Sequence, residues 1–281
     1  MSRFGVTAHR LGIALCLIFA TVVGLAALFP TVLAPADPLA TYPTQSLIAP
    51  NWEHPFGTDE SGRDIWTRVI HGAKPALTIG VSATAIGMGL GTILGVIGGM
   101  AAGRGRAGVA IDWTTARVVE ILYALPGILL ALLVLTFTGP GVIPATFAVG
   151  LATAPGYSRM IRASIRSVRN SDYVRAEIIL GRSPARILFR TIIPNALRPL
   201  TALATLGIGQ AVVWAGALSY IGLGPPPPSP EWGAMLKAGN DYLQGGMWWL
   251  TVFPGAAIAS IAVVGTILSR LIDRERGLSH A

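Results

Sequence analysis

Apolar residues fall in six blocks along the chain, at about 11–33, 76–102, 118–137, 142–158, 199–221 and 247–269, separated by stretches where Arg, Asp, Glu, Gly and Pro collect. Most blocks approach or exceed the ~20 residues a helix needs to cross a hydrocarbon layer of ~30 Å. The pattern predicts an all-α integral membrane protein with six transmembrane helices. The first block follows Arg3 and Arg10 and reaches Leu33, which is long for a cleaved signal core, so a retained helix is expected.

Composition supports this reading. Hydrophobic residues make up 52% of the 281 and charged ones 12%, against ~25% in an ordinary soluble domain. Mean hydropathy is +0.62. A soluble enzyme is excluded. The net charge of +8 raises nucleic acid as a partner, but the basic residues gather at the ends of the apolar blocks, where they act as topology signals. With the N-terminus inside, the inner segments hold 17 Lys and Arg and the outer segments 4. Both termini are therefore expected on the cytoplasmic side, with loops at about 34–75 and 222–246 outside and the 159–198 loop inside. Trp52, Trp66, Trp232, Trp248 and Trp249 then lie outside or at the outer boundary, as an aromatic belt would place them. The one cysteine, Cys16, excludes an intrachain disulfide.

No tandem repeat or long linker divides the chain, and one domain is expected. Residues 1–75 would form the first span and an external loop, and residues 76–281 a five-helix core. In the external loop His54, Asp59, Glu60, Asp64 and His71 lack a recognisable ligand spacing, and Gly57, Gly62 and Gly72 suggest turns. A short helix at about 62–71, capped by Thr58, Asp59 or Ser61, is expected on the membrane surface, with Ile65, Trp66, Val69 and Ile70 on one face. The second block carries Ala83, Gly87, Gly91, Gly95, Gly99 and Gly103 every fourth residue, a ridge for close helix packing.

Ion-coupled carriers keep ionisable groups near mid-membrane. Here Glu120 is the exception, and Arg117 three residues earlier makes a local ion pair the expected use. No G-x-x-x-x-G-K-[ST] run exists, so energy for uphill transport would have to come from another chain. Gln210 is the only amide near the middle of the fifth block; an unpaired amide in hydrocarbon costs several kcal/mol, so it must face another helix or a water-filled path. Trp214 lies four residues on, on the same face.

The 159–198 loop is the most patterned. Arg159, Arg162, Arg166 and Arg169 form one stripe on a helix continuing the fourth span, placed to anchor to anionic headgroups. Asp172 or Ser171 can cap a short helix ending at Gly181, a C′ position; Ser183 and Pro184 begin another, which Pro194 is expected to stop near Ile193. The hairpin holds Ile178, Ile179, Ile187, Leu188, Ile192 and Ile193, more apolar surface than a solvated connector needs.

Residues 175–194, RAEIILGRSPARILFRTIIP, resemble the cytoplasmic loop that permeases of bacterial ABC importers insert into a cleft on the ATPase. Residues 54–74, HPFGTDESGRDIWTRVIHGAK, and 218–243, LSYIGLGPPPPSPEWGAMLKAGNDYL, are similar to the second permease subunit of dipeptide, oligopeptide and nickel importers. Arg175 and Ala215 depart from acidic residues common in that family, and Thr266, Ser269 and Arg270 from its usual final span. The resemblance implies a type I ABC importer permease fold in the bacterial cytoplasmic membrane. It implies ATPase coupling through Ala176, Glu177, Gly181, Arg182, Ser183, Pro184 and Pro194, and a translocation path for peptides or a related small solute. Implied partners are a sister permease, two ATP-binding subunits, an extracytoplasmic solute-binding protein and membrane lipid. ATP and Mg would be bound by the ATPase subunits, with no cofactor, metal or catalytic residue in this chain. The alternative is an ion-coupled secondary transporter. Gln210 and Trp214 would pack against the sister subunit or line the path.

Overall fold

The computed structural model describes the backbone of residues 3–278 and the side chains of Ala14 and residues 17–272. The side chains of Cys16, Arg3 and Arg10, invoked above, lie outside these. Among the described residues the fold is helical, with one isolated bridge between Thr58 and Asp64. The helices are α1 (Arg3–Leu28), α2 (Ile65–Ala101), α3 (Gly105–Tyr123), α4 (Gly127–Thr138), α5 (Val142–Arg169), α6 (Asp172–Ile179), α7 (Pro184–Ile187), α8 (Ile193–Leu197), α9 (Leu200–Tyr220), α10 (Trp232–Asn240) and α11 (Trp249–Leu278). Three described segments are long and apolar enough to cross a membrane, namely Ile65–Ala101, Leu200–Tyr220 and Trp249–Ile272; α3 and α4 together form a fourth that bends by 87°.

The bend corrects the expected straight third span. Pro126 precedes α4 and offers no N–H to continue α3, so the chain turns at Ala124–Pro126. The expected surface helix is also corrected. Residues 65–71 are the first turns of α2, which passes through Gly72 and Pro75 without a break. Asp64 is its cap, its carboxylate accepting from the Thr67 N–H at 2.8 Å. Ile65, Val69 and Ile70 are buried in a core that also holds Ala26, Trp232, Trp249 and Leu250, so they face protein and not lipid. The 75/76 division expected from the sequence thus falls inside one helix.

The glycine ridge lies between α2 and α5, the most extensive helix pairing in the fold. A Cβ on Gly91 would come 2.8 Å from the Ala154 carbonyl oxygen, and one on Gly95 2.8 Å from that of Ser158. The backbones are close enough that only glycine fits, which is packing of the small-residue type.

Residues 34–64 fold into a cap over the start of α2, joined by the 225–231 segment and α10. Asp59 and the guanidinium of Arg68 lie 3.6 Å apart, both nearly buried, and Arg68 also donates to the carbonyls of Pro38, Pro228 and Ser229. His54 Nδ1 sits 3.0 Å from Asp64, and His71 Nε2 3.0 Å from the Ala34 carbonyl. These groups hold loops together. The belt reading of the tryptophans is corrected in part: Trp232 donates to the Val69 carbonyl at 2.9 Å and Trp249 to that of Thr58 at 3.2 Å, both from buried rings. Glu231 caps α10 through the Ala234 N–H; burial pushes its carboxyl above the ordinary range, opposed by hydrogen bonds from Gly233, Ala234 and Ser219.

Candidate coupling hairpin and translocation cavity

α5 runs without interruption through Pro155 to Arg169, and α6 starts three residues later. α6 ends as the sequence expects. Gly181 adopts φ +71°, its N–H donates to the Ile178 carbonyl, and the Arg182 N–H donates to the Glu177 carbonyl, which is a Schellman closure. Ser183 takes the N-cap position of α7, with Pro184 at N1, but its side chain makes no capping bond. Ser171 likewise uses its hydroxyl on the Val168 carbonyl and not on α6.

Pro194 does not stop the second arm, contrary to expectation. Residues Leu188–Ile192 form a π turn in which the Ile193 N–H reaches the Leu188 carbonyl. The chain continues as α8 with Pro194 in its first turn, where a missing N–H leaves no helical bond unmade. Glu177 holds the arms together, accepting from Arg182 at 2.8 Å and from the Thr191 hydroxyl at 2.8 Å. Arg175, standing where an acid is common in the family, lies exposed 3.6 Å from Asp172.

The hairpin's apolar side chains divide into two sets. Val174, Ile187 and Ile192 are buried against Ile161 and Ile165 of α5. Ile178, Ile179, Leu180 and Phe189 are 60–85% exposed, the first three directly preceding Gly181 in the chain. Ala176, Arg182, Ser183, Pro184 and Pro194 are exposed, while Glu177 is half-buried.

The arginine stripe is largely taken up by partners within the chain. Arg162 and Arg166 both donate to Asp112 of α3, and Arg169 donates to the carbonyls of Gly99, Met100 and Ala102 at the end of α2. Arg159 lies over the Tyr123 ring, 4.9 Å from its centroid. Three of the four thus tie α5 to its neighbours, two to the middle of α3 and one to the end of α2. Asp112, six residues before the start of the apolar block at 118–137, was invisible as their partner because nothing in one sequence links positions 50 apart. The Arg117–Glu120 pair does form, at 2.7 Å.

A cavity of about 460 Å³ opens beside the α3–α4 bend, lined by Tyr123, Thr153, Tyr157, Met160, Gln210 and Trp214, among others. Gln210 and Trp214 do share it, as their spacing requires. No charged side chain lines it. The Trp214 ring fits against Gly127 and the Tyr157 hydroxyl against Gly207, so glycines set the cavity's width. Sequence reasoning missed Tyr123 and Tyr157, which look like ordinary core aromatics until the bend and α5 bring them to one wall.

Residues 65–277 match the family described as binding-protein-dependent transport system inner membrane component. The di/tripeptide transport system permease protein DppC of Pseudomonas aeruginosa is 37% identical over 257 residues, covering 89% of this chain and 82% of the relative. The dipeptide transport system permease protein DppC of Alkalihalophilus pseudofirmus is 36% identical, covering 85% of this chain and 76% of the relative. Among solved structures, an inward-facing MetNI methionine ABC transporter superposes with a TM-score of 0.58 at 20% identity, over 74% of this chain and 97% of that one. The chain therefore shares the fold of that transporter and belongs to the binding-protein-dependent transport system inner membrane component family, the permease subunits of ABC transporters.

Proposed function

We propose that this chain is the second permease subunit of a peptide importer, spanning the bacterial inner membrane six times with both termini in the cytoplasm. It pairs with a sister permease across the open side of the cavity. Two ATPase subunits, which bind ATP and Mg, receive the hairpin, and a solute-binding protein delivers peptide to the outer cap. The observation that carries this reading is the continuity of α5. The same helix presents Thr153, Tyr157 and Met160 to the cavity and ends at the hairpin. From Tyr157 to Arg169, the end of α5, is about 18 Å at 1.5 Å per residue, so a displacement of the hairpin moves the cavity wall as one lever. Burying Ile178, Ile179, Leu180 and Phe189 in an ATPase cleft supplies about 6 kcal/mol of gross apolar stabilisation, enough to hold the contact through a cycle. Peptide as cargo follows from the relatives and fits an uncharged chamber of this size.

Purification of the tagged chain in mild detergent tests the assembly. Two ATPase subunits and a second permease are expected to co-purify, and substituting Ile179 and Leu180 with Asp is expected to release the ATPases while keeping the permease pair. Retention of the ATPases in that variant contradicts the docking role.

A further inference from the structure

A second, smaller cavity of about 240 Å³ adjoins the first, sharing Tyr123 as a wall and lined on its other sides by Glu120, Arg159 and Arg162. Its charges are not equivalent. Glu120 is taken by Arg117, and Arg162 by Asp112. Arg166 shares that same Asp112, and Arg169 is spent on backbone carbonyls. Arg159 alone among the stripe has no oxygen partner among the described residues; it has only the Tyr123 ring, which contacts the guanidinium face and leaves its N–H edge unoccupied. The planar edge of a guanidinium matches a carboxylate with two parallel hydrogen bonds. Along α5, Arg159 lies between the cavity residues Tyr157 and Met160, at the hairpin-side end of the wall that this helix gives the larger chamber. A solute leaving the uncharged chamber toward the hairpin therefore meets its first uncommitted positive charge there.

We propose that Arg159, braced by Tyr123, forms a receiving site for the terminal carboxylate of the cargo at the hairpin end of the path. The inference rests on the peptide reading and adds to it a chemical requirement, a free C-terminal carboxylate. It also gives the path a direction, because a neutral chamber followed by a cationic one favours advance of the anionic end.

The test uses the complete complex in phosphatidylcholine proteoliposomes, with Ala124→Cys, a wall position of the smaller cavity, in a Cys16→Ala background. The rate of maleimide labelling at position 124 is measured without nucleotide against a dipeptide and against its C-terminal amide. The acid is expected to protect at a concentration about tenfold below the amide, the scale of one charge-assisted pair. Arg159→Gln should abolish that difference and Arg159→Lys should retain most of it, with co-purification of the partner subunits confirming assembly of each. Equal protection by acid and amide, or a preference that survives Arg159→Gln, overturns the proposal. So does loss of the preference when anionic lipid is added, which would give the site to a headgroup. ATP-driven dipeptide uptake in the same vesicles separates the two levels: no uptake refutes the peptide reading, and uptake with equal protection refutes only the carboxylate site.

Discussion

Gly181 separates what the hairpin needs to fold from what it needs to dock. Its φ of +71° lies in the left-handed region, and a Cβ built there meets no atom within 4 Å. Substitution therefore costs conformational strain and nothing else within the chain. For Ala the strain is about 1 kcal/mol, a shift of about fivefold in the population of the closed turn; Asn tolerates this region and should lose less. Trp suffers the same strain as Ala and has open space for its ring. If the exposed set around Gly181 fits a close cleft, however, Trp adds an overpacking penalty of about 1–3 kcal/mol. Uptake driven by ATP in proteoliposomes is thus expected near the native level for Gly181→Asn, reduced at most about fivefold for Gly181→Ala, and at least about fivefold below Ala for Gly181→Trp. Fluorescence-detected size exclusion would show all three inserted. Equal uptake for Ala and Trp would refute the reasoning, since it would mean the tip meets open solvent throughout the cycle.

Three further outcomes follow from other parts of the fold. Gln210→Cys in a Cys16→Ala background should react with a membrane-impermeant thiol reagent at a rate that changes when ATP with a hydrolysis-blocking analogue is added; complete protection in every state, with transport intact, would assign Gln210 to helix packing. Asp112→Asn leaves Arg162 and Arg166 without their shared carboxylate and should lower stability by about 2 kcal/mol, discounted because Arg166 is 42% exposed, read as a lower unfolding temperature in detergent and faster hydrogen exchange in 105–123. Glu231 has a folded pKa raised above its ordinary 4.5, so its contribution to the outer cap is fully present below that value and is lost as pH rises through the folded pKa; protection of amides in 219–240, relative to their intrinsic exchange rates, should fall as pH rises above 4.5, and Glu231→Gln, which keeps the cap acceptor, should flatten that dependence.

How far the sequence reached depended on range. Local signals read well: the Gly181 Schellman turn, the Arg117–Glu120 pair, the limits of α9 and the every-fourth-residue glycines on α2 all depend on neighbours within one or two turns. Pro194 misled because its standard effect, breaking a helix, does not arise in the first turn of α8, which follows a π turn at 188–192. Ile65, Trp66 and Val69 read as membrane-facing because an apolar stripe looks alike whether lipid or the 225–250 segment covers it. The arginine stripe misled for a related reason. Its periodicity was right, but its partners, Asp112 and the carbonyls ending α2, come from 50 to 70 residues away. The cavity combined both cases: Gln210 and Trp214 announced one wall, while Tyr123 and Tyr157 took their places only through the bend at Pro126.

The central claim is that this chain forms half of a path whose opening is driven by ATPases through the hairpin. Reconstitution of the chain with its sister permease, ATPases and solute-binding protein, followed by uptake of a radiolabelled dipeptide, tests it most directly. The account predicts accumulation that requires ATP inside and binding protein outside, persists when proton and sodium gradients are collapsed, and disappears in Gly181→Trp. Accumulation by this chain alone, driven by an ion gradient and indifferent to ATP, would contradict it.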